Sequence, residues 1–116
     1  MWLSITPEIP VRDVVASQRY YRDVFGFKIG WTAEDESYGA LYIERFELFL
    51  RRSDEPSPGH VCCVRVSDVE GVHEEMIETG ANVVSPLDTK PWQMREFTVE
   101  DPDGQQLRIG QSTLMR

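Results

Sequence analysis

The sequence predicts an α+β fold of two tandem βαβββ modules, about residues 1–52 and 60–116, whose mixed sheets line a concave groove. Three observations carry that expectation. Val11-Arg12-Asp13-Val14 is echoed by Val66-Ser67-Asp68-Val69. Each copy is followed about a dozen residues later by a glycine, Gly26 and Gly80. Beyond each glycine the apolar pattern changes from helical to alternating.

The elements follow in order. Asp13 and Asp68 suit helix N-caps, since a carboxylate accepts hydrogen bonds from the unpaired amides of a first turn. Val14, Tyr21, Val24 and Phe25 make the apolar side of the first helix, and Val69, Val72, Met76 and Ile77 that of the second. Gly26 and Gly80 stand where a left-handed C-terminal residue is wanted. Strands are expected around Phe27–Trp31, Ala40–Ile43 and Phe46–Leu50, and in the second half around Asn82–Val84, Arg95–Val99 and Gln105–Ile109. Asp101-Pro102-Asp103-Gly104 is a turn, with Pro102 fixing φ at its second position. Ser53 to Gly59, with two prolines, a glycine and acidic residues, reads as a short linker within a single domain of 116 residues. Neither half is thick enough to bury both faces of its sheet alone.

Composition bounds the function. Apolar and charged fractions of 41% and 28% are those of a soluble globular protein, and no apolar run approaches the roughly 20 residues of a membrane helix. Met1-Trp2-Leu3-Ser4 lacks the pattern of a secretory signal, so a cytoplasmic location is expected. With 12 basic against 20 acidic residues the net charge is −8, which repels a phosphate backbone and favours cationic partners; no nucleic-acid partner is expected. Cys62 and Cys63 are adjacent in a strand-like run and read as packing residues. There is no CxxC or HExxH signature of a metal site.

The doubled plan, together with Tyr20-Tyr21-Arg22-Asp23-Val24-Phe25-Gly26-Phe27 in the first half, resembles the glyoxalase, bleomycin-resistance and extradiol-dioxygenase (vicinal oxygen chelate) superfamily over nearly the whole chain. Lys90-Pro91-Trp92-Gln93-Met94-Arg95-Glu96-Phe97, followed by Glu100-Asp101-Pro102-Asp103-Gly104, is similar to the Pro-Trp-x-x-Arg-Glu-Phe and Asp-Pro-x-Gly pattern of its bleomycin-resistance branch. Enzymes of the superfamily hold a divalent ion with His and Glu from both repeats, to polarise a carbonyl or bind oxygen. On that resemblance the ligand positions fall on Thr6, Phe49, Val61 and Arg108, a set that cannot hold such an ion. His60 lies one residue from Val61 and so points to the other face of a strand. His73 is expected to be a solvated helix residue. No metal and no cofactor are therefore expected.

What remains is shape, aromatic surface and charge. The resemblance makes Trp92 the first candidate for lining a ligand cleft, the alternative being a plug at the sheet end. Trp31 and Tyr38 flank the polar stretch Thr32 to Ser37 and are candidates either for the cleft mouth or for packing. Phe49 is expected on the groove floor with Arg108 beside it. Met94 and Arg95 complete the candidate set; Arg95 and Glu96 must face opposite ways, and the sequence leaves open which enters the groove. No nucleophile with a base at motif spacing is present. The resemblance implies a homodimer that sequesters a small molecule, such as a cationic glycopeptide antibiotic, in clefts between subunits. Two alternatives compete with it. One is a metal-dependent lyase, isomerase or dioxygenase using His60 with Glu8 or Glu47 in a shifted register. The other is an accessory domain serving a partner protein.

Overall fold

A computed structural model describes residues 1–114. The chain divides into two compact units, Met1–Pro58 and Gly59–Arg116, with the boundary inside the stretch expected as a linker. Both follow the βαβββ order, β1 (Glu8–Val11), α1 (Val14–Asp23), β2 (Lys28–Thr32), β3 (Tyr38–Ile43) and β4 (Phe46–Arg52), then β5 (Val61–Arg65), α2 (Val69–Glu78), β6 (Asn82–Lys90), β7 (Met94–Glu100) and β8 (Gln106–Ser112).

In the first unit the strands lie in the order β1-β4-β3-β2, and in the second β5-β8-β7-β6. Only β1 with β4 and β5 with β8 run parallel, which makes each sheet mixed. The aspartates start the helices as expected: Asp13 accepts from the Ala16 amide at 3.0 Å and Asp68 from the Gly71 amide at 3.1 Å. Gly26 and Gly80 end them with φ of 81° and 85°, a conformation open to glycine without a Cβ penalty.

Each helix covers one face of its own sheet. In the first unit Val14 and Tyr21 of α1 are buried with Ile9, Val11, Leu41, Leu48 and Leu50. Tyr21 meets Phe25 and Phe27 edge-on, at 4.9 and 5.6 Å between ring centres. In the second unit Val69 and Met76 are buried with Phe97, Val99, Leu107 and Ile109.

Four expectations need correction. Ile77 is 53% exposed, because the apolar side of α2 ends at Met76. His73 is not simply solvated: its ring meets buried Phe97 edge-on at 4.8 Å, so it belongs to the helix–sheet contact. Cys63 is exposed and Cys62 half-buried, since alternation along the edge strand β5 turns only one of them toward the helix side. Strand β6 runs on to Lys90 instead of stopping near Val84. Its Pro86 is tolerated because β6 is an edge strand whose pairing slips between Ser85 and Asp88.

Candidate functional site

Alternation fixes which side chains leave the helix-covered face of the first sheet. A Cβ on Gly39 would lie 2.9 Å from Val14 and 2.6 Å from the Gln18 amide of α1, so Gly39 faces the helix. Its neighbours Tyr38 and Ala40 therefore face the uncovered side, and the ladder puts Phe49 opposite Ala40 and Glu8 opposite Phe49 there too.

Trp31 joins them through a bulge. The β2–β3 register runs from Ile29 opposite Leu41 to Thr32 opposite Gly39, leaving Gly30 and Trp31 against Ala40 alone. A Cβ on Gly30 would come within 2.1 Å of the Tyr42 ring, so a side chain there would have to displace that half-exposed tyrosine. Gln18, only 2% exposed, holds the bulge from α1. Its amide donates to the Trp31 and Ala40 carbonyls, both at 3.2 Å, and accepts from the Thr32 hydroxyl at 3.0 Å.

The result is a triad of rings on the uncovered face. Trp31 stacks on Tyr38 with centres 5.6 Å apart and planes at 27°, and Phe49 lies 5.5 Å from Trp31 and 5.6 Å from Tyr38. Three of the residues singled out in the sequence are thus brought together. The Tyr38 hydroxyl donates to Glu8, which also accepts from Arg51 Nε at 3.0 Å. Both members of the Glu8–Arg51 pair are about half exposed, so it contributes less than about 1 kcal/mol. Its role is to fix the phenol.

That bond has a pH signature. The hydrogen bond to Glu8, then burial, raises the Tyr38 phenol above the ordinary 10.0, and the bond to Glu47 does the same for Tyr42. A phenol whose folded pKa exceeds its unfolded value contributes stability below about pH 10 and loses it as pH rises through the folded value. In an absorbance titration the native protein should ionise part of its tyrosine later than the denatured chain. Tyr38→Phe should remove part of that late amplitude.

In the second unit Arg95 donates to Thr89 at 3.1 Å and pairs with Glu70 of α2 at 3.5 Å, so it lies on the helix side. This decides what the sequence left open: Met94, Glu96 and Thr98 take the uncovered face, and the Arg95 expected in the groove does not. Arg108 is exposed on that same face, opposite Thr98 on one side and Cys63 on the other. Trp92 is 62% exposed at the tip of the β6–β7 hairpin, in a turn closed by the Gln93 amide on the Lys90 carbonyl at 3.0 Å. Gln93 adopts φ of 65° there. Trp92 is therefore no buried plug. The Asp101–Gly104 turn is fixed by the Asp101 carboxylate, which accepts from the Asp103 and Gln105 amides at 2.8 and 2.9 Å.

The residues expected at metal-ligand positions from the sequence do not fit a divalent ion. Thr6 precedes β1, Phe49 is in the ring triad, Val61 is an exposed first residue of β5, and Arg108 brings a positive charge. His60 turns its Nδ1 to Gln105 Oε1 at 3.2 Å. Among the described residues, no three His, Cys, Asp or Glu side chains are grouped to hold a metal.

Sequence reasoning missed Gln18, the bulge and the Glu8–Tyr38–Arg51 link. A glycine inside an alternating run, as at Gly30, was the available signal for the bulge.

Residues 4–109 match the model of the Glyoxalase/Bleomycin resistance protein/Dioxygenase superfamily. No protein of curated function matches the sequence. Among solved structures the chain is similar to TioX from Micromonospora sp. ML1, at 24% identity and a TM-score of 0.82 over 96% of this chain and 99% of that one. A bleomycin-binding protein solved with bleomycin aligns at 21% identity and a TM-score of 0.82, over 96% and 99% of the two chains. The bleomycin-binding protein of bleomycin-producing Streptomyces verticillus, complexed with copper(II)-bleomycin, aligns at 20% identity and 0.78, over 94% and 95%. These likenesses establish the fold, two four-stranded mixed sheets each with its helix.

Proposed function

Because the chain belongs to the glyoxalase, bleomycin-resistance and dioxygenase superfamily, we propose that it is a metal-free binding protein that sequesters a drug-like small molecule. The observation that carries this reading is the Trp31–Tyr38–Phe49 triad on a sheet face that no helix of its unit covers. Solvated rings on a rigid sheet suit stacking on a flat ligand, each contact contributing about 0.5–1.5 kcal/mol beyond buried area. A net charge of −8 favours a cationic ligand, and a glycopeptide of the bleomycin type fits both features. That structural neighbours are bleomycin-binding proteins supports the drug class.

In this reading the triad holds the ligand within a cleft formed between two copies of the chain in the cytoplasm, and Trp92, Met94 and Arg108 are the ligand-binding candidates of the second unit. No residue acts on the ligand chemically. The donor set at Thr6, Phe49, Val61 and Arg108 supports binding without a metal.

Calorimetric titration of the purified protein with bleomycin tests this. A saturable, stoichiometric heat is expected, from protein that carries no stoichiometric Zn, Ni, Mn or Fe when purified without chelator. The absence of heat would count against the drug class, and stoichiometric metal would overturn the metal-free reading.

A further inference from the structure

Two carboxylates border the rings of the first unit, and they are not equivalent. Glu8 stands opposite Phe49, and Glu47 stands opposite Tyr42. Glu47 and Phe49 are two residues apart on β4, so alternation puts both on the uncovered face, about 7 Å apart along the strand. Tyr42 is two residues from Ala40 and shares that face. Its ring lies over Gly30, the bulge residue next to Trp31. Ala40 is 0% exposed although no helix covers its side of the sheet, so the rings of Trp31, Tyr38, Tyr42 and Phe49 close over it and turn their outer surface to solvent.

Glu8 is already matched, since it accepts from Tyr38 and pairs with Arg51. Glu47 is half-buried and bonded to the neutral phenol of Tyr42. Among the described residues it makes no ion pair. Lys28, on the far side of Tyr42 in β2, is exposed and pairs with no carboxylate either. A phenol orients a carboxylate without cancelling its charge. The faces of the neighbouring rings also attract cations, through the negative side of their quadrupole. A positive group at the border of this surface would therefore meet both attractions at once, in the open and without displacing a side chain.

We propose that Glu47 is the specificity-determining residue for a cationic substituent of the ligand: a flat ring stacks on the Trp31, Tyr38 and Phe49 surface, and a protonated amine, amidine or guanidinium about 7 Å from it pairs with Glu47. The inference rests on the small-molecule-binding reading and adds a charge requirement at one carboxylate.

The test compares naphthylethylamine, protonated at neutral pH, with naphthylethanol, which has the same ring and spacer and no charge. Binding is read from the Trp31 indole N–H signal. Wild type should bind the amine about fivefold or more tighter than the alcohol, and Glu47→Gln should erase that preference by weakening the amine alone. Glu47→Asp keeps the charge and should keep the preference. Glu74→Gln removes the same net charge from the exposed side of α2 and should keep it too, which separates a local pair from the field of the whole protein. Retention of the preference in a Glu47→Gln variant that folds by circular dichroism, or its loss in Glu74→Gln, overturns the inference while the binding reading stands. If neither compound moves the Trp31 signal of wild type the inference falls as well, and the bleomycin titration decides the binding reading on its own.

Discussion

Replacing Gln18 with leucine should lower the stability of the fold by about 3 kcal/mol and release Trp31 from the face it occupies. The side chain is buried on α1, where a hydrophobic residue would satisfy the helix pattern equally well. Its polar atoms have other duties. They bond the carbonyls of Trp31 and Ala40 and the hydroxyl of Thr32, tying helix, bulge and central strand together. Leucine would leave those groups without their partner in a part-buried setting, at roughly 1–3 kcal/mol for each that finds no water. Urea unfolding reads the first effect. Loss of the near-ultraviolet dichroism that arises from Trp31 stacked on Tyr38 reads the second. A variant with wild-type stability and an unchanged aromatic spectrum would show that the bulge holds without Gln18.

Trp31→Ala should cost roughly 2 kcal/mol of binding, about 30-fold in affinity, with little change in stability. Trp31 is partly exposed and lies at the sheet edge, so its removal opens no internal cavity. It does remove the largest ring of the triad and leaves Tyr38 and Phe49 without their shared neighbour. The same substitution at Trp2, exposed before β1, should leave affinity unchanged. Calorimetry on the two variants separates a site residue from the mere presence of an indole.

The element order, both caps and both C-terminal glycines were legible in the sequence because each is local: a carboxylate three residues before the amide it caps, a glycine where the backbone must turn left-handed. The site was legible in part. Trp31, Tyr38 and Phe49 could be singled out as large rings near polar loops, yet their union depends on a bulge that adds one residue to β2, and alternation alone would send Trp31 to the helix side with Ile29. Arg95 and Glu96 were undecidable for the same reason. Strand parity separates the pair, and the contacts of Arg95 with Glu70 and of Phe97 with His73 say which one faces α2. Ile77 was misjudged because a helix of ten residues touches its sheet along a narrower line than its apolar residues suggest, and His73 because that line includes a polar ring packed edge-on against Phe97.

The most direct measurement is nuclear magnetic resonance of the three indole N–H signals, from Trp2, Trp31 and Trp92, during titration with bleomycin, followed by the mass of the recovered drug. Sequestration of the drug predicts that the Trp31 and Trp92 signals move along saturable isotherms, that Trp2 stays in place, and that the drug returns with its mass unchanged. Stationary Trp31 and Trp92 signals, or a chemically altered drug, would contradict it.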